Sequence, residues 1–155
     1  MARIYSAVFT DVAITAAQDL FSLLAGTNTP ITIHEIFLSQ KTEVGDAMEE
    51  GLVVNIKQGA TVVGSGGSAL TAIPRDVDDA AAAATGRIND TTPAGTGTIV
   101  TSHNYVWNVR VPLQILFTPE LRPYVKGGRR IVVGLVTAPA DSITASGVIT
   151  WSEGG

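Results

Sequence analysis

The chain predicts an all-β fold, a single-domain antiparallel β-sandwich or jelly roll of about eight to ten strands spanning residues 1–155. Two observations predict it. Apolar residues alternate with polar ones in short segments along most of the chain, the period-two signature of half-buried strands. Gly, Pro, Asn, Asp and Thr divide those segments at turn-like intervals. Charged residues make up only 15% of the sequence, below the ~25% usual in soluble domains, so much of the surface is uncharged Thr, Ser, Gly, Ala and Asn.

Taken in order, Arg3 to Phe9 reads as a first strand or N-terminal arm within residues 2–9. Ile14 to Leu24 is ambiguous: Ala17, Leu20, Phe21 and Leu24 fit helical spacing, yet the neighbours are strands and Gly26-Thr27-Asn28 follows closely, so strand is preferred. Thr29 to Gln40 is a long strand with Ile31, Ile33 and Phe37 on one face and Ile36 and Leu38 on the other, which predicts a central or intersubunit position. Gly51 to Lys57 points Leu52, Val54 and Ile56 inward, and Gln58-Gly59-Ala60 is expected to turn it into a hairpin with Thr61-Val62-Val63. Gly64-Ser65-Gly66-Gly67-Ser68 reads as a flexible tip, and Ala69 to Ile73 as a further strand before Pro74.

Residues 75–97 form a long irregular loop with one short strand near Thr85 to Asn89. Thr98 to Arg110 and Val111 to Phe117 are one bent strand or two, with Pro112 at the bend. Pro119 to Arg130 is a polar connection. Arg130 to Thr137 is rich in β-branched residues, and Ile143, Ala145, Ile149 and Trp151 alternate with Thr144, Ser146, Thr150 and Ser152. The Ala138-Pro139-Ala140-Asp141-Ser142 turn between those two runs predicts that they pair.

Composition narrows the function. A net charge of -4, with ten basic residues spread along the chain, argues against holding nucleic acid through phosphate neutralisation. The absence of cysteine rules out disulfides and thiolate metal sites. No stretch approaches the ~18 consecutive apolar residues of a membrane span, and the first residues lack a signal-type apolar run, so a soluble product made in the cytoplasm is expected.

The candidate sites are sparse. His34 and His103 have no second histidine at metal-sharing spacing, and His34-Glu35 face opposite ways on a strand, so a hydrogen-bonded structural role is expected for His34. His103, Tyr105 and Trp107 share a face that suits a sugar platform, but Val109 and Val111 continue it and favour packing. Glu43, Asp46, Glu49 and Glu50, and separately Asp76, Asp78 and Asp79, form acidic groups without the EF-hand pattern and read as solvated loops. The Gly64–Ser68 run lacks the Lys-Ser/Thr of a phosphate loop. No nucleophile elbow is present. The expectation is therefore a non-enzymatic protein with no cofactor, no catalytic residue and no metal.

Several segments carry a resemblance: Met1-Ala2-Arg3-Ile4-Tyr5-Ser6, Ala17-Gln18-Asp19-Leu20-Phe21, Ile33-His34-Glu35-Ile36 running into Leu38-Ser39-Gln40, Arg122-Pro123 with Gly127-Gly128-Arg129, and Ala138-Pro139-Ala140-Asp141. Together they resemble small head proteins of tailed bacteriophages, the capsid decoration or cement proteins. The resemblance implies a compact β-sandwich or jelly roll, commonly a homotrimer, on the outside of the expanded capsid, with the major capsid protein as partner and neighbouring capsomers bridged. On that reading Arg3, Ile4, Tyr5 and Phe9 are the candidate capsid-contacting or strand-exchanging arm. The alternatives are a carbohydrate-binding sandwich using Tyr105 and Trp107, for host recognition or at the tail, and a small cupin-like enzyme.

Overall fold

In the computed structural model, which describes residues 2–43 and 49–154, the alternating segments form two antiparallel sheets packed face to face. The first sheet holds β1 (Arg3–Ile14), β3 (Ile31–Gln40), β6 (Ile73–Pro74), β9 (Leu113–Leu116), β10 (Tyr124–Val125) and β12 (Ile143–Glu153). Their order is β10, β3, β12, β1, β6, and β9 also pairs with β3. The second sheet holds β2 (Gln18–Leu24), β4 (Gly51–Ala60), β5 (Ser68–Ala69), β7 (Thr85–Asp90), β8 (Gly97–Asn108) and β11 (Arg130–Leu135), in the order β5, β7, β2, β11, β4, β8. The long strands pair as a chain folded back on itself: β1 with β12, β2 with β11, β3 with β9, and β4 with β8.

The core lies between the inner faces. Tyr5 stacks on Trp151 with centroids 5.9 Å apart, and Phe9 meets Phe21 across the two sheets at 5.2 Å. Each such buried aromatic side chain contributes roughly 1.5–3 kcal/mol through removal of apolar area from water. Gly147, a break in the alternation of β12, has a physical cause: a Cβ there would lie 2.6 Å from Phe9 Cε1, so the Phe9 ring takes the space of a side chain. Leu52, Val54 and Ile56 face the core as the alternation predicts. The ambiguous segment is strand: β1 runs on to Ile14, and β2 is buried on both faces, which erases the alternation that would have marked it.

Five expectations are corrected. The runs Arg130–Thr137 and Ile143–Trp151 do not pair with each other: β11 lies between β2 and β4, β12 between β1 and β3, and the turn between them crosses from one sheet to the other. A turn that reverses the chain serves either connection equally well. On β3 the apolar residues divide between faces differently from the expectation. The register slips by one at His34, and this bulge turns Ile31, Ile33, Ile36 and Leu38 all inward while Phe37 faces out. The Gly51–Val63 hairpin is absent because β4 continues through Ala60 and pairs with β11 and β8. Gly59, at φ +94°, accommodates a bulge there, since a Cβ would collide with the Thr98 carbonyl. Gly64–Ser68 is no free tip: Ser65 and Thr92 exchange backbone hydrogen bonds at 3.0 and 2.9 Å, and the Gly67 amide donates to Asp90 Oδ1 at 3.0 Å. Finally, Ala69–Ile73 is not one strand, because β5 and β6 sit in different sheets.

Residues 61–96 between β4 and β8 therefore extend both sheets on one flank, through β5, β6 and β7, and fold over the outer face of the second sheet. Among the described residues, one flank of the sandwich and much of the first sheet's outer face are left uncovered.

Candidate interaction surface

The two outer faces differ in kind. On the second sheet, Asp19, Ser22, Lys57, Asp90 and Arg130 form a polar layer beneath the 91–97 segment. Lys57 Nζ lies 3.2 Å from Asp19 Oδ1, and Asp19 Oδ2 accepts the Ala94 amide at 2.7 Å. Arg87 donates to both oxygens of Asp90, and Arg130 donates to Ser22 Oγ at 3.2 Å. Burial lowers the Arg130 pKa while the charge of Asp90 opposes that shift. Gly134 makes room for this layer: a Cβ would sit 2.7 Å from Asn55 Oδ1 and 3.3 Å from Asp19 Oδ1. Buried carboxylates that each receive a cation and an amide pin the covering loops over part of this face, while Val106 and Val136 stay exposed beyond them.

The outer face of the first sheet is open around Val8, whereas its Ser152 end is buried beside His34. The observed register aligns three cross-strand rows on it: Ile4, Ser152, Thr32 and Tyr124; Ile73, Ser6, Thr150, Glu35 and Leu116; and Val8, Val148, Phe37 and Gln114. Glu35 is the one charged side chain in those rows, and Gln114 Nε2 donates to it at 2.8 Å. A shallow groove of about 210 Å³ runs along Val8, Phe37 and Val148. Tyr124 and Leu116 are exposed at its far side. A face with an apolar row flanked by hydroxyls and almost no charge is cheap to desolvate, which is what a docking surface requires.

The proposed arm residues divide between the two faces of β1. Tyr5 and Phe9 point into the core, and the Tyr5 hydroxyl donates to the Ala80 carbonyl at 2.9 Å. Ile4 faces out, and Arg3 lies at the rim 3.6 Å from Asp79. β1 pairs with β12 from Arg3 to Ile14, so residues 2–9 are an integral strand of the sheet, with Ile4 and Val8 as its contribution to the outer face.

The aromatic platform is also divided. Trp107 is core, its indole donating to the Val111 carbonyl at 2.9 Å. Tyr105 is half-buried, and burial raises its pKa. His103 stacks on it at 6.0 Å and meets Phe117 edge-on. His103 and Tyr105 line a cleft of about 330 Å³ with Gln114 to Thr118 and Leu121. One ring of the Tyr105 and Trp107 pair is thus within reach of a ligand.

His34 is hydrogen-bonded as expected, its Nε2 2.8 Å from Ser152 Oγ. A serine beside an imidazole has the spacing of a nucleophile and its base, and burial and the Arg122 charge both lower the His34 pKa. Among the described residues, no group of three potential metal ligands converges. Asp76 Oδ1 accepts the Asp78 amide, closing a turn on the surface. Glu50 accepts the Ala140 amide at 2.6 Å and Glu49 lies 3.7 Å from Arg110, while Asp46 lies outside the described residues. Sequence reasoning missed two carboxylates: Asp19, and Glu153, which accepts the amides of Ala83 and Ala84 at 2.8 Å each. Their partners lie about 70 residues away, and no local pattern marks them.

The fold defines a class: an all-β sandwich of two antiparallel sheets, one of whose outer faces is partly covered by the chain's own loops. No family model matches the chain, and no curated protein matches it significantly. Among solved structures it is similar to a chain in "Crystal structure of the T13 IBDV viral particle reveals a missing link in icosahedral viruses evolution", at 13% identity. That alignment covers 97% of this chain and 39% of the other, with a TM-score of 0.16, and a superposition so poor carries no argument about fold or function.

Proposed function

We propose that this chain is a capsid decoration protein, binding the outer surface of a tailed-phage head through the outer face of its first sheet. The observation that carries the reading is the uncharged row of Val8, Val148 and Phe37 on the outer face of the first sheet. The strand pairing supports it in outline, since a folded ribbon wound into two sheets is the jelly-roll pattern used by capsid proteins, and equally by lectins and cupins. Fold alone does not choose among these. A cement protein gains its effect from many modest contacts repeated by symmetry, and binding the expanded shell in preference to its dissociated subunits stabilises the particle by linkage. Such a role needs a rigid, adhesive surface and no reaction centre. On this reading the chain acts as a homotrimer that contacts the major capsid protein of adjacent capsomers and resides on the virion exterior.

The test is co-sedimentation of the purified protein with expanded, undecorated phage heads. Saturation at a fixed, symmetry-compatible number of copies per shell is the expected result. Failure to bind heads that remain competent for decoration overturns the reading.

A further inference from the structure

The sheet edges are unequally protected. β1 is covered at Tyr5 and Ser6 by β6, which ends in Pro74, and further along it is interrupted by a bulge at Asp11, whose carboxylate pairs with Lys41 at 2.7 Å. β5 and β10 are two residues long, and β9 is four. Short strands, bulges, charge and proline are the usual defences against edge-to-edge pairing. The β4–β8 ladder shifts register twice, at Ser102 and between Val100 and Gly97, and is regular from His103 to Asn108. β8 is 12 residues long, contains no Lys, Arg, Asp, Glu or Pro, and among the described residues no strand pairs with its outer side.

The groups it presents follow from the ladder. The Val109 amide donates to the Glu50 carbonyl at 3.1 Å, so the alternation of an antiparallel pair assigns the backbone bonds to β4 to Trp107, Tyr105 and His103. Asn104 and Val106 therefore turn their amides and carbonyls away from the sheet, and Asn108 its amide, while the Asn108 carbonyl accepts the Val111 amide at 3.0 Å. Val106 is 70% exposed and Val100 61%, both on the same strand. The His103 and Tyr105 cleft, with exposed Leu116 and Leu121, opens on this same flank.

We infer that β8 is the site at which two copies of this chain join, strand to strand and antiparallel, fusing their second sheets into one. The occupant follows from the edges themselves. An uncharged strand is self-complementary in antiparallel pairing because no like charges meet, and of the edges described here β8 alone has the length to match β8. A two-fold axis at Val106 sets this side chain beside its own copy and places Asn104 opposite Asn108 of the partner subunit. The contact uses the second sheet, so it stands or falls independently of the head-binding face on the first.

The test is the sedimentation mass of the full chain with Val106→Lys and Val106→Thr. Lysine places two like charges at the axis, on a side chain that is already exposed, whereas threonine keeps the β-branched shape. The expected result is that Val106→Lys halves the mass of the wild-type particle, whatever other subunit contacts it makes, and that Val106→Thr leaves it unchanged. Hydrogen exchange on the wild type supplies a reading that needs no variant: the Asn104 and Val106 amides are protected if the edge is paired. Being two-fold, the contact would link one proposed homotrimer to another, so an unchanged mass for Val106→Lys, a wild-type mass that is an odd multiple of 16.1 kDa, as for a monomer or an isolated trimer, or free exchange at those two amides would overturn the inference.

Discussion

Removal of the Glu153 carboxylate tests how the long excursion is held to the sandwich. At the end of β12, Glu153 accepts the Ala83 and Ala84 amides at 2.8 Å each and lies 3.4 Å from the Trp151 indole nitrogen. It is 8% exposed, and Ala84 is 4% exposed. In Glu153→Ala the Ala83 amide regains water, but the Ala84 amide is left buried without an acceptor. Hydrogen bonds to a charged group are worth about 1.5–3 kcal/mol, and an orphaned buried donor costs about 1–3 kcal/mol, so the combined loss is about 3 kcal/mol. Unfolding entropy near 2.1 cal/mol/K per residue gives about 0.33 kcal/mol/K for a chain of this length, and hence a fall in Tm of about 9 °C. Glu153→Gln retains one carbonyl oxygen and is expected to lose about half as much. Thermal unfolding by circular dichroism reads both variants, and limited proteolysis is expected to move to the alanine run at residues 80–84. A Glu153→Ala protein within about 2 °C of wild type would refute the clamp.

Four further outcomes follow from the same structure. Gly147→Ala drives a methyl into the Phe9 ring and is expected to cost about 1–3 kcal/mol by chemical denaturation, as overpacking does. Deletion of residues 2–9 removes the buried Tyr5 and Phe9 and the pairing to β12, so the loss of the near-ultraviolet circular dichroism of the native state is expected, rather than a folded protein lacking an arm. Because burial and Arg122 hold the folded pKa of His34 below its ordinary 6.5, the neutral form is favoured on folding. Stability is therefore full above pH 6.5 and declines as pH falls through the folded value, and Tm profiles of wild type against His34→Gln should converge toward acid pH. Trp107 and Trp151 are both buried, so emission should be blue-shifted and resistant to acrylamide, and a glycan that quenches it strongly would contradict their placement.

Local signals carried much of the fold and little of the surface. The alternation in β12 and the inward set Leu52, Val54 and Ile56 are local, because burial of one face stamps a period of two on the sequence. The partners of those strands are not local. A turn such as 138–142 reverses the chain whether the next strand pairs with the last or crosses to the opposite sheet, and the pairing of β11 with β2 and β4 is decided by core packing. Bulges are the second source of error. One extra residue at His34 moved Phe37 from the expected core face to the outer row, and with it the groove that now anchors the functional reading. The buried carboxylates Asp19 and Glu153 answer amides far along the chain, so their role depends on the finished fold. The arm residues show both effects: Tyr5 and Phe9 alternate as core residues should, while the contact potential of Ile4 and Val8 emerges only once the register with Ser152 and Val148 is known.

The most direct test of the central claim compares head binding by the wild type, Val8→Glu and Val77→Glu in one saturation series on expanded, undecorated heads. Val8 lies in the apolar row of the first sheet's outer face, and Val77, 83% exposed, lies away from it in the excursion. A carboxylate introduced on the docking face must be desolvated on binding, so Val8→Glu should lose affinity by tenfold or more, about 1.4 kcal/mol, while Val77→Glu binds as wild type does. Equal binding by all three proteins, or none by the wild type, would contradict the account.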